Sequence, residues 1–241
     1  PESILPLQAE DLRYEINGQI LIDGVSLTVG PGSFTVVLGP NGAGKSLLLR
    51  LLHGLIEPTS GSIAWSGAVG AREGELRLRQ AMVFQRPVLL RRSVEANVRY
   101  ALKWLGVPRA EQPAAIDAAL GRAGLSGRRR VPARLLSVGE QQRLVVARAL
   151  AGKPDIMFLD EPTASLDPAS VLQIESLLVE ANSAGTAMVL VTHDIGQARR
   201  LGRDIVFVHR GRVIERAPSD RFFDRPDTPA AQAYLKGEII V

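Results

Sequence analysis

The chain of 241 residues contains no cysteine. This absence excludes disulfide bonds, zinc sites built on thiolates and cysteine nucleophiles, and it suits a reducing compartment. Long apolar runs are missing as well. The most apolar segments, residues 156–159 and 187–191, are only as long as strands, whereas a membrane-spanning helix needs about 18 consecutive apolar residues. We therefore expect that the chain does not cross a membrane by itself.

The N-terminal residues 1–4 lack the basic start and apolar stretch of a signal peptide, so we expect no secretion. Positive charge is in small excess, with 29 Lys and Arg against 25 Asp and Glu. The one dense basic run, residues 128–130, has no interleaved aromatic residue and lacks the stacking platforms of a single-strand binder. We expect no nucleic-acid partner. Hydrophobic residues form 46% of the chain, which excludes a disordered protein.

Apolar periodicity predicts an α/β fold. Segments 12–16 and 25–29 alternate apolar with polar or small residues, so we expect an antiparallel pair of half-buried strands there. Continuous apolar runs, typical of parallel strands buried on both faces, lie at residues 34–38, 156–159 and 188–191. Helical patterns lie at residues 45–53, 94–104 behind a Ser93 cap, 114–122, 140–151 and 169–181. Helices that alternate with buried strands indicate a mostly parallel sheet.

The segment 87–150 contains helical patterns but no good strand candidate. We therefore interpret it as a helical subdomain inserted into the sheet unit. Residues 1–86 and 151–241 then form the core, together with an N-terminal antiparallel β subdomain.

The strongest chemical signal lies between a buried strand and a helix start. It consists of Gly39, Pro40, Asn41, Gly42, Ala43, Gly44, Lys45 and Ser46. This pattern fits a phosphate loop, in which glycines let backbone N–H groups face phosphate oxygens and the helix adds its positive dipole end. Lys45 would reach the β- and γ-phosphates, and Ser46 would hold Mg²⁺. A glycine-rich turn that binds nothing would not explain why strand, loop and helix agree.

An acidic pair, Asp160 and Glu161, follows the apolar run 156–159. It lies at the carboxyl edge where open α/β sheets bind ligands. Asp160 is placed to hold Mg²⁺, and Glu161 is the better candidate for polarising an attacking water. Standing alone, the pair also fits an acidic strand end before a turn at Pro162.

Further motifs follow in an order that resembles the ATP-binding subunits of ABC transporters. They are Gln85 within residues 83–86, the serine-glycine segment 136–143, the segment 159–163 with both acids, residues 165–167, and His193 within residues 192–194. A phosphate loop alone fits many nucleotide enzymes, but this order is highly specific. The resemblance covers nearly the whole chain and implies a single ATP-binding cassette over residues 1–241, built on a phosphate-loop NTPase core.

The resemblance also implies roles for residues outside the phosphate loop. Two cassettes would dimerise head to tail, with each ATP between the phosphate loop of one and Ser137 and Gly139 of the other. His193 would serve the γ-phosphate, Gln85 would serve Mg²⁺ or the attacking water, and Asp167 would support the dimer seam.

Each of these roles has a plainer alternative in the sequence. Ser137 and Gly139 fit an N-cap and turn before an amphipathic helix, and Asp167 fits an N-cap ahead of Pro168. A histidine or glutamine at a strand end is by itself more often structural or solvated. Tyr14 stands where the family's aromatic residue stacks on adenine, but its alternation with apolar neighbours predicts a core position equally well.

One position departs from the family pattern. The family usually has two glycines in the serine-glycine segment, and this chain has Val138 in place of the first. Valine is a poor choice for a positive φ. Either the backbone there is ordinary in this protein, or the loop is strained and its contact with nucleotide is altered. We expect ATPase activity to survive because Gly139 is retained.

By this resemblance we expect a peripheral ATPase on the cytoplasmic face of the cell membrane that powers a separate permease. Its expected partners are ATP with Mg²⁺, a second copy or a paralogous cassette, the permease subunits and a solute-binding protein. Single-cassette chains are typical of importers. The ending, residues 233–240, looks similar to importer subunits for oxyanions such as tungstate or phosphate. Residues 87–92 would line the groove where the permease docks beside Gln85, or would instead be buried subdomain core.

Three alternative functions stay open from the sequence. A soluble ABC ATPase acting on nucleic acid or ribosomes usually carries two cassettes or a long coiled-coil insertion. The ATPase of an exporter is commonly fused to membrane spans. A phosphate-loop kinase of small metabolites would not be expected to contain a serine-glycine segment, which this chain has at residues 136–143.

Overall fold

The computed structural model describes residues 3–68, 70 and 72–238. The strands are β1 (Leu7–Ile16), β2 (Gln19–Val29), β3 (Phe34–Leu38), β4 (Ser60–Trp65), β5 (Gln80–Val83), β6 (Ile156–Asp160), β7 (Ala187–Val191), β8 (Asp204–His209) and β9 (Arg212–Pro218). The α-helices are α1 (Lys45–His53), α2 (Glu73–Leu78), α3 (Val94–Trp104), α4 (Gln112–Arg122), α5 (Val138–Leu150), α6 (Pro168–Ser183), α7 (Ile195–Leu201), α8 (Ser219–Asp224) and α9 (Pro229–Leu235). Together they form an α/β fold, as the sequence predicts.

The N-terminal strands form a three-stranded antiparallel sheet in the order β2-β1-β4. Leu12 and Tyr14 of β1 lie opposite Val25 and Ile22 of β2. Leu12, Val25 and Ile22 are fully buried, so the predicted antiparallel pair is confirmed. The sequence did not predict β4, because its residues are mostly exposed and show no apolar alternation.

The second sheet has six strands in the order β5-β6-β7-β3-β8-β9. Neighbouring strands run parallel except β8 and β9, which are antiparallel. Every residue of β3, β6 and β7 is buried, which confirms the prediction of strands covered on both faces. Because β3 lies between β7 and β8, the phosphate loop emerges near the middle of the sheet edge.

Two apolar cores cover the two faces of this sheet. Alternate residues of β3 divide between them, with Val36 and Leu38 in one core and Val37 in the other. The core around Val37 also contains Leu48 and Leu51 of α1 and the inner residues of the antiparallel sheet. The helix that follows the phosphate loop is therefore held between two sheets.

Residues 87–150 hold α3, α4 and α5, and no strand of either sheet lies among them. Ser93 caps α3 through its side chain, as the sequence predicts. Val98 and Leu144 of this segment share one core with Phe207 of β8, so these helices pack directly on the sheet. The division of the chain into a core and a helical subdomain stays a prediction.

Candidate nucleotide-binding site

The phosphate loop, residues 39–46, joins the end of β3 to α1. Gly39 has a φ of +150°, and a Cβ there would lie 2.0 Å from the main-chain oxygen of Val208. Gly44 has a φ of +99°, and a Cβ there would lie 3.0 Å from the side chain of Ile22. Both positions therefore require glycine, the first for the close approach to β8 and the second for the left-handed turn into the helix.

Lys45 is buried although it carries a charge, and its side chain folds back along the loop. Its Nζ donates hydrogen bonds to the carbonyl oxygens of Gly39 at 2.7 Å and Pro40 at 2.9 Å. Burial lowers the pKa of Lys45, while the carboxylates of Glu161 and Asp160 favour the charged form. A positive charge is thus fixed at the loop by carbonyl dipoles and nearby acids.

The loop borders an open cavity of about 440 Å³. The cavity is lined by Leu21, Asn41, Gly42, Ala43, Gly44, Lys45, Ser46, Leu47, Arg50 and Glu161. Six of the eight predicted loop residues are in this lining, while Gly39 and Pro40 act through their bonds to Lys45. Arg50 adds a second cation that the sequence motif did not identify. It follows Ser46 by four residues, and this spacing on a helix could have revealed it.

Ser46 and Asp160, two of the three residues predicted to serve Mg²⁺, are in direct contact. The Ser46 hydroxyl donates a hydrogen bond to Oδ1 of Asp160 at 2.7 Å, and Asp160 is only 6% exposed at the end of β6. A hydroxyl and one carboxylate fit Mg²⁺, which is commonly bound by few protein oxygens together with substrate phosphates. No cluster of three or more acidic or histidine side chains suited to a metal lies in the described ranges. By the chemistry of Mg²⁺, phosphate oxygens of a bound nucleotide would supply further ligands.

Glu161 and His193 lie side by side at the ends of β6 and β7. The Nδ1 atom of His193 is 3.0 Å from Oε2 of Glu161. Glu161 has a φ of +45°, which is uncommon for a residue other than glycine, and its N–H donates to the Val191 oxygen at 2.9 Å. Glu161 borders both the phosphate-loop cavity and a smaller hollow of about 200 Å³ that His193 lines. The two residues predicted to serve the attacking water and the γ-phosphate are therefore in contact.

A buried hydrogen-bond network supports the segment that follows Glu161. Gln197 of α7 is fully buried and donates to Oγ1 of Thr163 at 2.9 Å and to Oε1 of Glu175 at 3.1 Å. Arg200 donates two further hydrogen bonds to Glu175. The sequence does not reveal this network, because its members lie on α6, α7 and a loop and belong to no local motif.

Gln85 follows β5 and is exposed. Since Val83 of β5 pairs with Leu159 of β6, Gln85 lies at the same sheet edge as the acidic pair. It is not among the residues that line the phosphate-loop cavity. The Nε2 of Gln142 donates to the Phe84 oxygen at 3.1 Å and ties α5 to this segment. The role of Gln85 toward Mg²⁺ or water stays a prediction.

Ser137 is the N-cap of α5, and Glu140 completes a capping box with it. Ser137 Oγ accepts from the Glu140 N–H at 3.2 Å, and the Glu140 carboxylate accepts from the Ser137 N–H at 2.8 Å. Val138 is the first helical residue and has no positive φ. Its backbone is therefore ordinary, and valine does not strain the loop. The N-cap interpretation of Ser137 is confirmed, while its contact with a partner's nucleotide stays a prediction.

Gly139 packs α5 against the start of α6. A Cβ on Gly139 would come 2.2 Å from Oγ of Ser170, so the second glycine is required for this packing. Asp167 accepts a hydrogen bond from the Ser170 N–H at 3.0 Å. Hydrogen bonds from the Ser170 side chain and N–H hold the pKa of Asp167 below its usual range. The N-cap role of Asp167 is confirmed, and its role in a dimer seam stays a prediction.

Tyr14 packs against the core that contains α1. It is half-buried and lies opposite Ile22, whose neighbour Leu21 lines the phosphate-loop cavity. Tyr14 itself is not in that lining. The core interpretation is confirmed, and stacking on adenine stays a prediction.

A glycine-rich loop after a central strand, a buried lysine and a serine bonded to the acid of a neighbouring strand define a phosphate-loop nucleotide-binding protein. The family model described as ABC transporter matches residues 22–164. The chain therefore belongs to the ABC transporter family, in which it is an ATP-binding subunit.

Curated relatives match the chain over most of its length. The phosphate import ATP-binding protein PstB 2 of Natronomonas pharaonis is 36% identical over 97% of this chain and 87% of its own. The tungstate uptake system ATP-binding protein TupC of Peptoclostridium acidaminophilum is 38% identical over 91% of this chain and 100% of its own. The methionine import ATP-binding protein MetN of Geobacillus kaustophilus is 36% identical over 95% of this chain and 69% of its own.

Solved structures agree with the fold. An ATP-binding subunit of an ABC transporter superposes with a TM-score of 0.84 at 26% identity, over 96% of this chain and 99% of that chain. The subunit cbiO1 of Clostridium perfringens, part of the ABC transporter complex cbiONQ, superposes with a TM-score of 0.82 at 32% identity. That match covers 93% of this chain and 92% of the other. The predicted α/β fold class is confirmed.

Proposed function

We propose that this chain is the ATPase subunit of an ABC importer, in which ATP binding and hydrolysis at a head-to-tail dimer interface drive transport through a separate permease. One observation carries the proposal. A single sheet edge brings together Lys45, Ser46, Asp160, Glu161 and His193. The import functions named for PstB 2, TupC and MetN support the direction of transport.

The geometry supports hydrolysis by positioning and charge. The γ-phosphate of ATP lies on the loop beside the Lys45 ammonium, where a buried charge stabilises the transferring phosphoryl group most strongly. Ser46 and Asp160 would hold Mg²⁺, which would neutralise further phosphate charge when bound. Glu161 accepts the proton of the attacking water, and His193 orients that carboxylate across 3.0 Å.

The variant Glu161→Gln tests this chemistry, because it keeps the side-chain shape and removes the base. We expect it to bind ATP, to accumulate as a dimer in light scattering, and to lose phosphate release by about 100-fold or more. Glu180→Gln is the matched control, since Glu180 is an exposed acid on α6 with its side chain 57% exposed. Hydrolysis at the wild-type rate by Glu161→Gln would refute the assignment.

Exposed apolar residues beside Ser137 support the dimer. Leu135 and Val138 are 68% and 59% exposed, although they adjoin the N-terminus of α5. A second copy or a paralogous cassette placed head to tail would cover these residues and bring its phosphate loop to the helix N-terminus. The same contact would let Ser137 and Gly139 face the partner's nucleotide and place Asp167 at the seam.

A basic groove along α3 supports docking of a permease. Its cavity of about 1110 Å³ is bordered by Tyr100, Trp104 and the cations Arg92, Arg99, Lys103 and Arg109. Tyr100 and Trp104 are 50% and 60% exposed. Exposed aromatic anchors rimmed by cations fit a cytoplasmic permease segment whose apolar side chain is flanked by acidic residues.

The segment 87–92 was predicted either to line the docking groove or to be buried subdomain core. Different residues of the segment fit each of these two interpretations. Leu89 packs against the core shared with the sheet, whereas Val88 is 60% exposed and its carbonyl accepts a hydrogen bond from Arg148 at 2.8 Å. Val88 is thus available to a partner, and Leu89 is a core residue.

Affinity purification of the tagged chain from detergent-solubilised membranes identifies the partner. We expect a stoichiometric multi-span protein that is lost with Lys103→Glu, while Lys236→Glu, at an exposed position that does not border this groove, retains it. Ribosomal or DNA-bound partners without a permease would contradict the proposal and favour the soluble ATPase.

The relatives support an oxyanion as the imported cargo, because PstB 2 and TupC serve phosphate and tungstate. MetN makes methionine the second candidate. A solute-binding protein that purifies with the complex can be titrated with tungstate, phosphate and methionine. The ligand that it binds would distinguish an oxyanion cargo from methionine. Residues 239 and 240, the end of the oxyanion-like segment 233–240, lie outside the described residues.

We expect the chain on the cytoplasmic face of the membrane, bound to its permease. Within the described ranges, no helix combines the length and apolar character needed to cross a bilayer. Fractionation of cells with and without the permease tests this location, since only the former should retain the chain in the membrane fraction.

A further inference from the structure

Two short segments carry the residues proposed for hydrolysis, and a hollow lies between them. Glu161 begins the turn after β6, in which the Ala164 N–H donates to the Glu161 carbonyl at 3.2 Å. His193 lies between β7 and α7. Both segments line the hollow of about 200 Å³, which Thr163 also borders. Because side chains do not fill this space, packing alone does not set the distance between Glu161 and His193.

Gln197, in the first turn of α7, is bonded to both segments. Its N–H donates to Oδ1 of Asp194 at 3.0 Å, and Asp194 directly follows His193. Its side-chain Nε2 donates to Oγ1 of Thr163 at 2.9 Å, and the Thr163 hydroxyl donates to its Oε1 at 3.2 Å. Thr163 lies two residues after Glu161. Gln197 is fully buried, so water cannot easily replace these bonds.

A buried carboxylate fixes the direction of the Gln197 amide. Oε1 of Glu175 accepts from Nε2 of Gln197 at 3.1 Å, and an ionised carboxylate can only accept, so the amide nitrogen faces α6. Arg200 donates to both oxygens of Glu175, at 3.0 Å and 2.7 Å, and neutralises its charge. The Gln197 side chain is therefore held in one orientation between α6 and Thr163.

The turn after β6 needs such support because the backbone of Glu161 is strained. Its φ of +45° lies in the left-handed region, and a residue other than glycine stays there only when surrounding contacts hold it. On one side, the Val191 carbonyl accepts from the Glu161 N–H at 2.9 Å. On the other side, Gln197 holds the turn at Thr163. Loss of the second contact would let the Glu161 carboxylate shift relative to His193.

We propose that Gln197 and Thr163 are positioning residues for ATP hydrolysis, which together hold the Glu161 carboxylate 3.0 Å from His193. The inference rests on the proposed function, since it assumes that Glu161 serves the attacking water. Neither positioning residue lines the phosphate-loop cavity, so neither contributes directly to ATP affinity. A displaced general base slows the chemical step and leaves nucleotide binding unchanged.

The variant Thr163→Val removes the hydroxyl and nearly keeps the shape of the side chain. We expect kcat for ATP hydrolysis to fall about tenfold, while the KM for ATP stays within about twofold of the wild-type value. Thr163→Ser restores the hydroxyl and should bring kcat back to within about twofold of wild type. A mere loss of stability would produce neither the split between kcat and KM nor the rescue by serine.

Thr186→Val is the matched control. Thr186 is buried, and its hydroxyl donates to the Pro154 carbonyl at 2.9 Å. Thr186 precedes β7, whereas His193 follows it, so the control lies at the opposite edge of the sheet. The variant should lower the melting temperature, because it leaves a buried carbonyl without its donor. Its kcat should stay within about twofold of wild type.

Gln197→Leu tests the same contact from the other side. It removes the amide and should lower kcat at least as far as Thr163→Val, because the bond to Glu175 is lost as well. Adding Thr163→Val to Gln197→Leu should then change kcat by less than about twofold, since the contact between the two side chains is already absent.

The outcomes are distinguishable. A wild-type kcat for Thr163→Val would overturn the inference, as would a failure of serine to rescue it or an equal loss of kcat in Thr186→Val. Independent effects of the two substitutions in the double variant would also overturn it. If Glu161→Gln still loses hydrolysis in these cases, the proposed function stands. A wild-type chain without ATPase activity, or wild-type hydrolysis by Glu161→Gln, would overturn both.

Discussion

Two regions carry the residues of the proposed site, and they differ in how complete they are within one chain. At the phosphate loop, Lys45 is bonded to loop carbonyls and Ser46 to Asp160, all of them buried or half-buried. At the start of α5, Ser137 is satisfied by its capping box, yet Val138 next to it is 59% exposed. We call the phosphate loop the finished region, because its charged side chains are already paired within one chain. We call the start of α5 the unfinished region, because its helix cap is complete but its apolar surface is exposed. This difference supports the proposal that one chain binds the nucleotide and a second chain completes the site.

The largest effect is expected from Lys45→Ala in the finished region. Removing the buried ammonium should weaken ATP binding by about 100-fold or more, because it is the cation held on the loop by the Gly39 and Pro40 carbonyls, where the phosphates would bind. Calorimetric titration with ATP measures it. Lys153→Ala, at an exposed surface position, should bind like the wild type. An unchanged ATP affinity in Lys45→Ala would show that the phosphate loop does not bind the nucleotide through this lysine.

A smaller effect is expected from Val138→Asp in the unfinished region. Aspartate is tolerated in the first turn of a helix, so the single chain should fold and still bind ATP at its own loop. Its ATPase rate should fall about 50-fold. The new carboxylate would replace apolar interface surface and would lie beside the phosphates of the nucleotide bound to the partner's loop. Val179→Asp is the control, because Val179 on α6 is also exposed, at 48%. Equal ATPase rates in both variants would mean that no partner covers Val138.

The finished region also contains a pH-sensitive group, His53 at the end of α1. Burial, with a smaller contribution from the Arg77 cation, lowers its pKa from 6.5 to about 4. Its Nδ1 has no hydrogen-bond partner among the described residues. The unfolded chain binds a proton near pH 6.5, whereas the folded chain does so only near pH 4, so stability falls as the pH drops through this window. The loss at pH 5 is about 2 kcal/mol.

Urea unfolding at pH 7.5 and pH 5 measures this loss. His53→Leu should lose less stability than the wild type between the two pH values, by about 2 kcal/mol. An identical pH dependence in both proteins would show that His53 is protonated in the folded chain.

The smallest effect is expected from Val138→Gly. The valine backbone is already helical and unstrained, so glycine relieves nothing and costs only the modest penalty of glycine in a helix. The ATPase rate should stay within about tenfold of the wild-type rate. A rate more than tenfold higher would mean that valine impairs the site after all.

Local sequence was enough for the parts of the fold that bury continuous runs. The strands β3, β6 and β7 are apolar throughout, and α1 has the predicted bounds because glycines stand at both of its ends. The edge strand β5 was missed because only Val83 is fully buried in it. The helix α2 buries no residue, so it leaves no periodicity to detect.

The candidate site was predictable where one motif or one sheet edge brings residues together. Asp160 and His193 could be placed because the carboxyl ends of parallel strands share an edge. The contacts of Gln197 with Thr163 and with Glu175 were not predictable. They depend on the packing of elements far apart in the sequence, and no local pattern records that packing.

The most direct test of the two-chain site is a mixing experiment with Lys45→Ala and Val138→Asp, each expected to have little ATPase activity alone. In a mixed head-to-tail dimer, one site combines the intact loop of the Val138→Asp chain with the intact Ser137 segment of the Lys45→Ala chain. An equal mixture should therefore recover about a quarter of the wild-type ATPase rate, since half of the dimers are mixed and each has one intact site of two. A mixture that stays as inactive as its components would contradict the account.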